Sequence, residues 1–378
     1  MPRICITCVK EPHLKKLVLS DGDNGECSLC HSYSQSIDSE CNEFFQLTKA
    51  LVRLHYSEWD YNHHLGGDSY EGLFYGDENI FFDQGNLSDE KYEDFVLSIT
   101  EGEVYEDYNK GVSIFSGYSN GDQNMPLKSI KTDLDEKLLQ ISKRLKNENY
   151  FLLENEVKDI LKKYADIALC ELQTTDPLYR ARIGYKDKKK NYEFGIEAEY
   201  HYAPYISHDI GAPPPNLASN GRVNRPGVSF LYCATDKYTA ISEVRPHPGD
   251  IVSLGKFYLT REARAFDLSD SKFLDFYFTD EKLDQYKPLN TLGVFLNRTI
   301  PPSERIFYSI TQLVSDCIRQ LGFDGVLFNS SVGTGKNIVL FDKNIVDEVA
   351  NQAEIVVINN VKYEYRSKTM IKKDGSYE

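Results

Sequence analysis

The stretch VSFLYCATDKYTAISEVRPHPGD, Val228 to Asp250, couples a strand to a short helix and ends on a puzzle. Val228 to Ala234 is apolar, aromatic and β-branched, the pattern of a buried strand. Thr235 can then cap a helix in which Tyr238, Ile241 and Val244 recur at helical spacing. Pro246 disfavours helical geometry at Arg245, so the helix should stop near Val244. Glu243 therefore falls in the last turn, where the helix dipole opposes a carboxylate by roughly 0.3–1 kcal/mol. Either this acid is an ordinary ion-pair partner of Arg245 or a solvated group, or the charge is kept there for chemistry.

Around it, LYRARI, IVSLGKFYL, ARAFDL, GVLFN and NIVLF read as further short strands. One helix interrupts them, SERIFYSITQLVSDCIRQLG, with Ser303 as its cap and Gly322 as its stop. Its apolar face comprises Ile306, Ile310, Leu313, Val314, Cys317, Ile318 and Leu321. Strands, a helix and strands again predict an α+β domain over residues 173–345. Residues 346–378 form a C-terminal extension whose tail beyond Tyr363 is polar and expected to fray. Upstream, LSDEKYEDFVLSIT (starting at Ser88 or Asp89), DLDEKLLQISKRLKN and NEVKDILKKYADIALCEL predict a mainly α-helical domain over residues 41–172. His63 and His64 are adjacent and point in different directions, which suits a loop better than a metal site.

Residues 1–40 carry CITC and CSLC, so Cys5, Cys8, Cys27 and Cys30 form two matched knuckles. Each places two thiolates on one tight turn, and two such turns close a four-sulfur shell around structural Zn2+; between them EPHLKKLVLSDGDNGE reads as a short apolar run and a Gly/Asp turn, consistent with a zinc ribbon or treble-clef-like unit. A redox pair is the alternative, although it would not need two knuckles. His31 is expected at the surface; Cys41, Cys170, Cys233 and Cys317 lie in apolar surroundings and read as core thiols.

The 378-residue chain has 43 basic and 58 acidic residues, a net charge of −15 that argues against broad binding to nucleic acid or anionic membrane. The basic run KDKKK, Lys186 to Lys190, reads as a solvated loop tip. No apolar stretch is long enough to span a membrane, and MPRICITC lacks the apolar core of a secretion signal, so a cytoplasmic protein is expected. The 26 tyrosines read mostly as half-buried packing residues.

Four stretches of the second half resemble the RES family, named for its Arg, Glu and Ser. They are PLYRARIG, NGRVNRPGVSFLYCATDKYTAISEVRPHPGD, TQLVSDCIRQLGFDGVLFNSS and GTGKNIVLFD, in the family's order. The resemblance implies a fold similar to ADP-ribosyltransferase toxins and cleavage of the nicotinamide–ribose bond of NAD+, by a glycohydrolase or phosphorylase. It also implies a bacterial toxin or defence effector, with an antitoxin or regulatory protein as expected partner; a homo-oligomer is a further candidate that the resemblance does not decide. The family's residues carry over onto Arg180, Glu243 and Ser330, and its strand tyrosine onto Tyr232. The N-terminal half resembles the HEPN-like region that accompanies some RES domains. The Arg-x4-6-His motif of HEPN ribonucleases is absent, because Arg53 is followed too closely by His55, so ribonuclease activity is not carried over.

The chemistry explains why these residue types are needed. Nicotinamide leaves as a neutral base, so the demand is to stabilise the positive, oxocarbenium-like ribose. A carboxylate such as Glu243 meets it. Arg180 can offer a planar fork of donors to the diphosphate, with Arg222 and Asn224 on a loop as further ligand contacts. Tyr232 can stack on nicotinamide or ribose, or serve only as a core tyrosine. Ser330 is assigned a hydrogen bond to the ligand, with Ser331 and Asn337 as second-choice contacts; no Ser-His-Asp arrangement surrounds it. GTGKN is not a phosphate-binding P-loop, since its upstream glycine is missing and Asn337 stands where Ser or Thr is required. Two rival readings remain, a mono-ADP-ribosyltransferase acting on a macromolecule and a non-catalytic nucleotide-sensing module.

Overall fold

The computed structural model describes residues 2–62, 65–68, 70–76, 79–84, 87–100, 127–193, 196–298, 308–349, 352–362, 365 and 367. The chain begins with β1 (Arg3–Cys5), α1 (Pro12–Asp21), β2 (Asp23–Glu26) and β3 (Tyr33–Asp38). A helical middle region follows: α2 (Asn42–His55), α3 (Glu58–Tyr61), α4 (Asp89–Thr100), α5 (Glu136–Arg144) and α6 (Tyr150–Lys162). Then come β4 (Leu169–Leu172), β5 (Leu178–Ile183), β6 (Asp187–Glu193), β7 (Ile196–Ala203), β8 (Leu231–Ala234) and α7 (Lys237–Glu243). The chain continues through β9 (Ile251–Leu259), β10 (Ala263–Asp267), α8 (Asp280–Asn297), α9 (Ser309–Gln320), β11 (Gly325–Asn329), β12 (Lys336–Leu340), β13 (Val346–Glu348) and β14 (Glu354–Val357). The fold is mixed α+β.

It divides into two compact units. The first comprises Met1–Cys170, Asn220–Arg225 and Arg264–Asn329; the second comprises Glu171–Ser219, Pro226–Ala263 and Ser330–Glu378. In the first, β3 pairs antiparallel with both β1 and β2, and β10 runs parallel to β11. Helix α2 is buried along most of its length, and α9 buries Ile310, Leu313, Val314, Cys317 and Ile318. Gly322 ends α9 with a φ of 87°, which a residue with a side chain would adopt only with strain.

The start of α1 holds a buried ion pair in this unit. Glu11 Oε2 accepts from the backbone N–H of His13 (2.6 Å) and Leu14 (2.9 Å), satisfying two otherwise orphaned helix donors. Its Oε1 lies 2.8 Å from His13 Nδ1, and His13 Nε2 lies 3.0 Å from the carbonyl of Asp270. Burial disfavours the Glu11 charge, but the His13 hydrogen bond, the His13 charge and the two backbone donors outweigh it and hold the carboxyl below its ordinary range. A carboxyl lowered on folding contributes stability above its unfolded pKa and loses it as pH falls through the lower folded value. Acidification below about pH 5 should therefore lower the melting temperature of the wild type, and Glu11→Gln should remove part of that dependence. Parallel pH curves for the two proteins would contradict this role.

In the second unit the strands lie in the order β13-β9-β5-β8-β12, all antiparallel, with β14 also on β9. Helix α7 covers this sheet by packing Ala240 with Ala181, Ala234, Val252 and Leu254, joined by Ile241 and Val244. Strands β6 and β7 form a separate two-stranded hairpin.

Several local expectations change. Asp236, not Thr235, caps α7, its Oδ1 accepting from Thr239 N at 2.8 Å, while Thr235 Oγ1 accepts from Lys336 N at 3.0 Å. Tyr238 points out, 63% exposed, and Thr239 and Ala240 are buried instead. Helix α6 stops at Lys162, and Leu169–Leu172 is a strand. The segment between the knuckles holds the helix α1 rather than only a short apolar run. KDKKK contributes to β6 rather than to a loop tip. Cys233 and Cys317 are buried, but Cys41 and Cys170 are only half-buried. The expected cap Ser303, together with Ile306, His63, His64 and almost all of the tail beyond Tyr363, lies outside the described residues. Among the described residues no helix is long and apolar enough to cross a membrane.

Candidate active site and metal centre

Glu243 is the last residue of α7, with Val244 as the C-cap and Arg245 in the left-handed region at φ 50°. The helix stops there because Pro246 follows. The carboxylate is exposed, yet one of its oxygens is fixed from two directions. Ser330 Oγ donates to Glu243 Oε1 at 2.7 Å, and Asn337 Nδ2 donates to the same oxygen at 2.6 Å. Ser330 is itself oriented: its Oγ accepts from the backbone N–H of Gly333 (2.9 Å) and Val332 (3.2 Å), so its own proton is directed at the glutamate. Two donors from outside the helix thus offset the unfavourable dipole. Among the described residues, Oε2 has no hydrogen-bond partner and Glu243 makes no ion pair with Arg245.

The turn that carries Ser330 is held against the start of α7. Gly335 N donates to Thr239 Oγ1 at 2.9 Å, and Thr239 Oγ1 donates to Asp236 Oδ2 at 2.7 Å. A Cβ at Gly335 would collide with Asp236 and Thr235, and one at Gly333 would press on Thr239. The glycines of GTGK therefore allow close backbone approach to a helix, not a phosphate cradle. Ser331, in the same turn, is exposed.

Tyr232 is half-buried in β8, opposite Val339 of β12, and its carbonyl accepts from Arg180 Nη1 at 2.7 Å. Arg180, in β5, also donates from Nε to the carbonyl of Ile210 at 2.8 Å. Burial pushes its guanidinium pKa down, although arginine remains charged across the useful pH range. Among the described residues only Nη2 of its fork is left without a partner. Arg180→Ala would strand two carbonyls and should cost roughly 2 kcal/mol of stability, read as a lower urea midpoint at constant slope. An unchanged midpoint would show that these hydrogen bonds carry no net stability.

Arg222 and Asn224 fall in the first unit, on a loop fastened to α9. Gln312 Nε2 donates to Asn220 Oδ1 (2.6 Å), the Gly221 carbonyl (2.7 Å) and the Asn224 carbonyl (3.0 Å), while Thr311 Oγ1 donates to the Arg222 carbonyl (2.5 Å). The Arg222 guanidinium donates to the Leu296 carbonyl, and Asn224 Nδ2 donates to the Arg225 carbonyl at 3.1 Å. The Arg222 side chain thus ties the loop to α8, and that of Asn224 bonds within its own turn.

In the first unit, Cys5, Cys8, Cys27 and Cys30 converge so that their sulfurs all lie within 4.8 Å of one another. Cys5 and Cys30 sulfurs are 3.6 Å apart, against about 3.8 Å across the edge of a tetrahedral zinc–thiolate site. Cys5 N–H points at Cys27 Sγ (3.4 Å), and Ser32 Oγ lies 2.9 Å from Cys30 Sγ. The hydrogen bond between the Cys8 and Cys27 side chains pushes the Cys8 thiol up and holds Cys27 down at about 4. Four sulfurs this close cannot all ionise without a cation among them, so the donor set fits a metal such as zinc. His31 is exposed and outside the cluster, as expected.

Residues 193–362 match the RES domain family. Tyr232, Glu243, Ser330, Ser331, Asn337, Arg222 and Asn224 fall inside the matched span; Arg180 lies before it. A similar solved structure is the M. tuberculosis MbcT-MbcA toxin-antitoxin complex, at 14% identity and a TM-score of 0.27, over 60% of this chain and 94% of that one. No curated protein matches the chain. Sequence reading singled out Ser330 and Asn337 as contacts to a ligand but missed that both fix Glu243, and missed the Thr239–Asp236 support beneath them. The signal that could have found them is the pair of glycines in GTGK, read from sequence only as a failed P-loop and in the fold the point of close approach to α7.

Proposed function

We propose that the chain consumes NAD+ by cleaving its nicotinamide–ribose bond. The observation that carries this reading is Glu243, a carboxylate held by Ser330 and Asn337 through Oε1 with Oε2 bare. As the bond from ribose C1′ to the ring nitrogen breaks, its electron pair stays with nicotinamide, which leaves neutral, and positive charge develops on the ribose. Oε2 stabilises that charge and takes a hydrogen bond from the ribose or the incoming nucleophile. Water or phosphate then adds its oxygen to C1′, and its proton passes to solvent. Tyr232 flanks the sugar. The Arg180 Nη2 is the donor left for an anionic group of the ligand, so Arg180→Ala should raise KM for NAD+ more than it lowers kcat. The four cysteines would hold zinc, whose filled thiolate shell would organise the N-terminal segment and leave no open position for chemistry. Unchecked turnover would make the chain a toxin or defence effector, restrained by an antitoxin or regulatory partner, with the N-terminal helical region as the place for control.

Incubation of the purified protein with NAD+, with and without phosphate, tests this directly. Free ADP-ribose or its phosphate ester is the expected product. Label transferred to a macromolecule would make the chain an ADP-ribosyltransferase, and intact NAD+ would reject the proposal.

A further inference from the structure

Asn337 reads from sequence as a contact to the ligand, but its surroundings assign it another task. The residue is 9% exposed. Its backbone is registered against Ala234 of β8, two residues before the cap of α7. Its side-chain amide reaches 2.6 Å to Glu243 Oε1, the oxygen that Ser330 also engages. An amide nitrogen can only donate, so Asn337 gives this hydrogen bond to the carboxylate oxygen. With both donors on one oxygen, the carboxylate cannot rotate without losing two hydrogen bonds. The other oxygen is thereby kept turned outward.

We propose that Asn337 is a positioning residue, which together with Ser330 pins Oε1 of Glu243 and designates Oε2 as the oxygen that meets the developing charge. The inference rests on the NAD-cleaving reading above and adds to it what selects the working oxygen of the carboxylate. It also answers why an acid tolerates the end of α7. The charge is secured by β12 and by the turn before it, not by its own helix.

Asn337→Asp and Asn337→Ala test this with the full-length protein. Asp keeps the shape but sets an oxygen where the donor was, so two carboxyls would share one site and one would hold a proton to higher pH. The acid limb of the kcat profile should move up by about one pH unit or more in Asn337→Asp, with activity partly recovered at high pH. Asn337→Ala should lose roughly tenfold to a hundredfold in kcat, as expected of a misplaced catalytic group, with NAD+ affinity by calorimetry within about twofold of wild type. Raised KM and weakened NAD+ binding with an unmoved pH profile would overturn the proposal and return Asn337 to the ligand. Wild-type kinetics in both variants would overturn it too, as would failure of both to fold, which would show Asn337 to be a structural residue of β12. An inactive wild type would instead reject the NAD-cleaving function, and so is distinguishable from all of these.

Discussion

Glu243→Gln is expected to lower kcat for NAD+ cleavage by roughly two orders of magnitude or more while leaving NAD+ binding nearly intact. Glutamine keeps the length of the side chain and retains an oxygen that can accept from Ser330 and Asn337. It loses the charge that Oε2 brings to the oxocarbenium-like ribose. That interaction grows only as nicotinamide departs, so the loss appears in kcat and not in affinity. Single-turnover rates and calorimetry on the same preparation separate the two quantities. In cells, expression of the wild type should deplete NAD+ and arrest growth, and Glu243→Gln should relieve both. Equal depletion by the two proteins would remove Glu243 from the chemistry.

The second large effect concerns the cysteine cluster. The purified protein should carry one zinc per chain, and changing Cys5, Cys8, Cys27 and Cys30 to Ser should abolish it. Zinc bound by four thiolates is worth roughly 10–16 kcal/mol in small isolated domains, so much of the order in residues 1–40 depends on it. Chelation should greatly accelerate hydrogen exchange in β1 through β3. Exchange in β8 and β9 of the other unit should change little. Zinc retained by the four-fold Ser variant, or absent from the wild type, would reject the site.

Much of this was legible because it depends on residues close together in the chain. A CxxC spacing puts two sulfurs on one turn whatever surrounds it, so the four-cysteine cluster could be read before any fold was known. The alternation in LYRARI and IVSLGKFYL, the apolar face of α9 and its stop at Gly322 are equally local. Pro246 stops α7 by sterics between neighbours, and Glu243 had to fall at its end. Where two local solutions were nearly equal, sequence could not choose. Thr235 and Asp236 can both cap a helix, and Asp236 does so because the Thr235 hydroxyl is taken by Lys336 N. Helix α8 escaped notice because Pro288 interrupts its pattern; it is held by buried Leu283, Tyr286, Leu289, Leu292 and Leu296, whose worth depends on what packs over them.

The composition of the site was decided only in three dimensions. Ser330 and Asn337 meet Glu243 across 87 and 94 residues of chain, and no local pattern encodes that convergence. Arg180 looked like a free phosphate fork, but the fold commits two of its nitrogens to the carbonyls of Ile210 and Tyr232. Arg222 looked equally free, and its guanidinium is spent on Leu296. Residue type sets which bonds a side chain can make. Which of them it does make is set by the partners that long-range strand pairing and close glycine turns bring within reach.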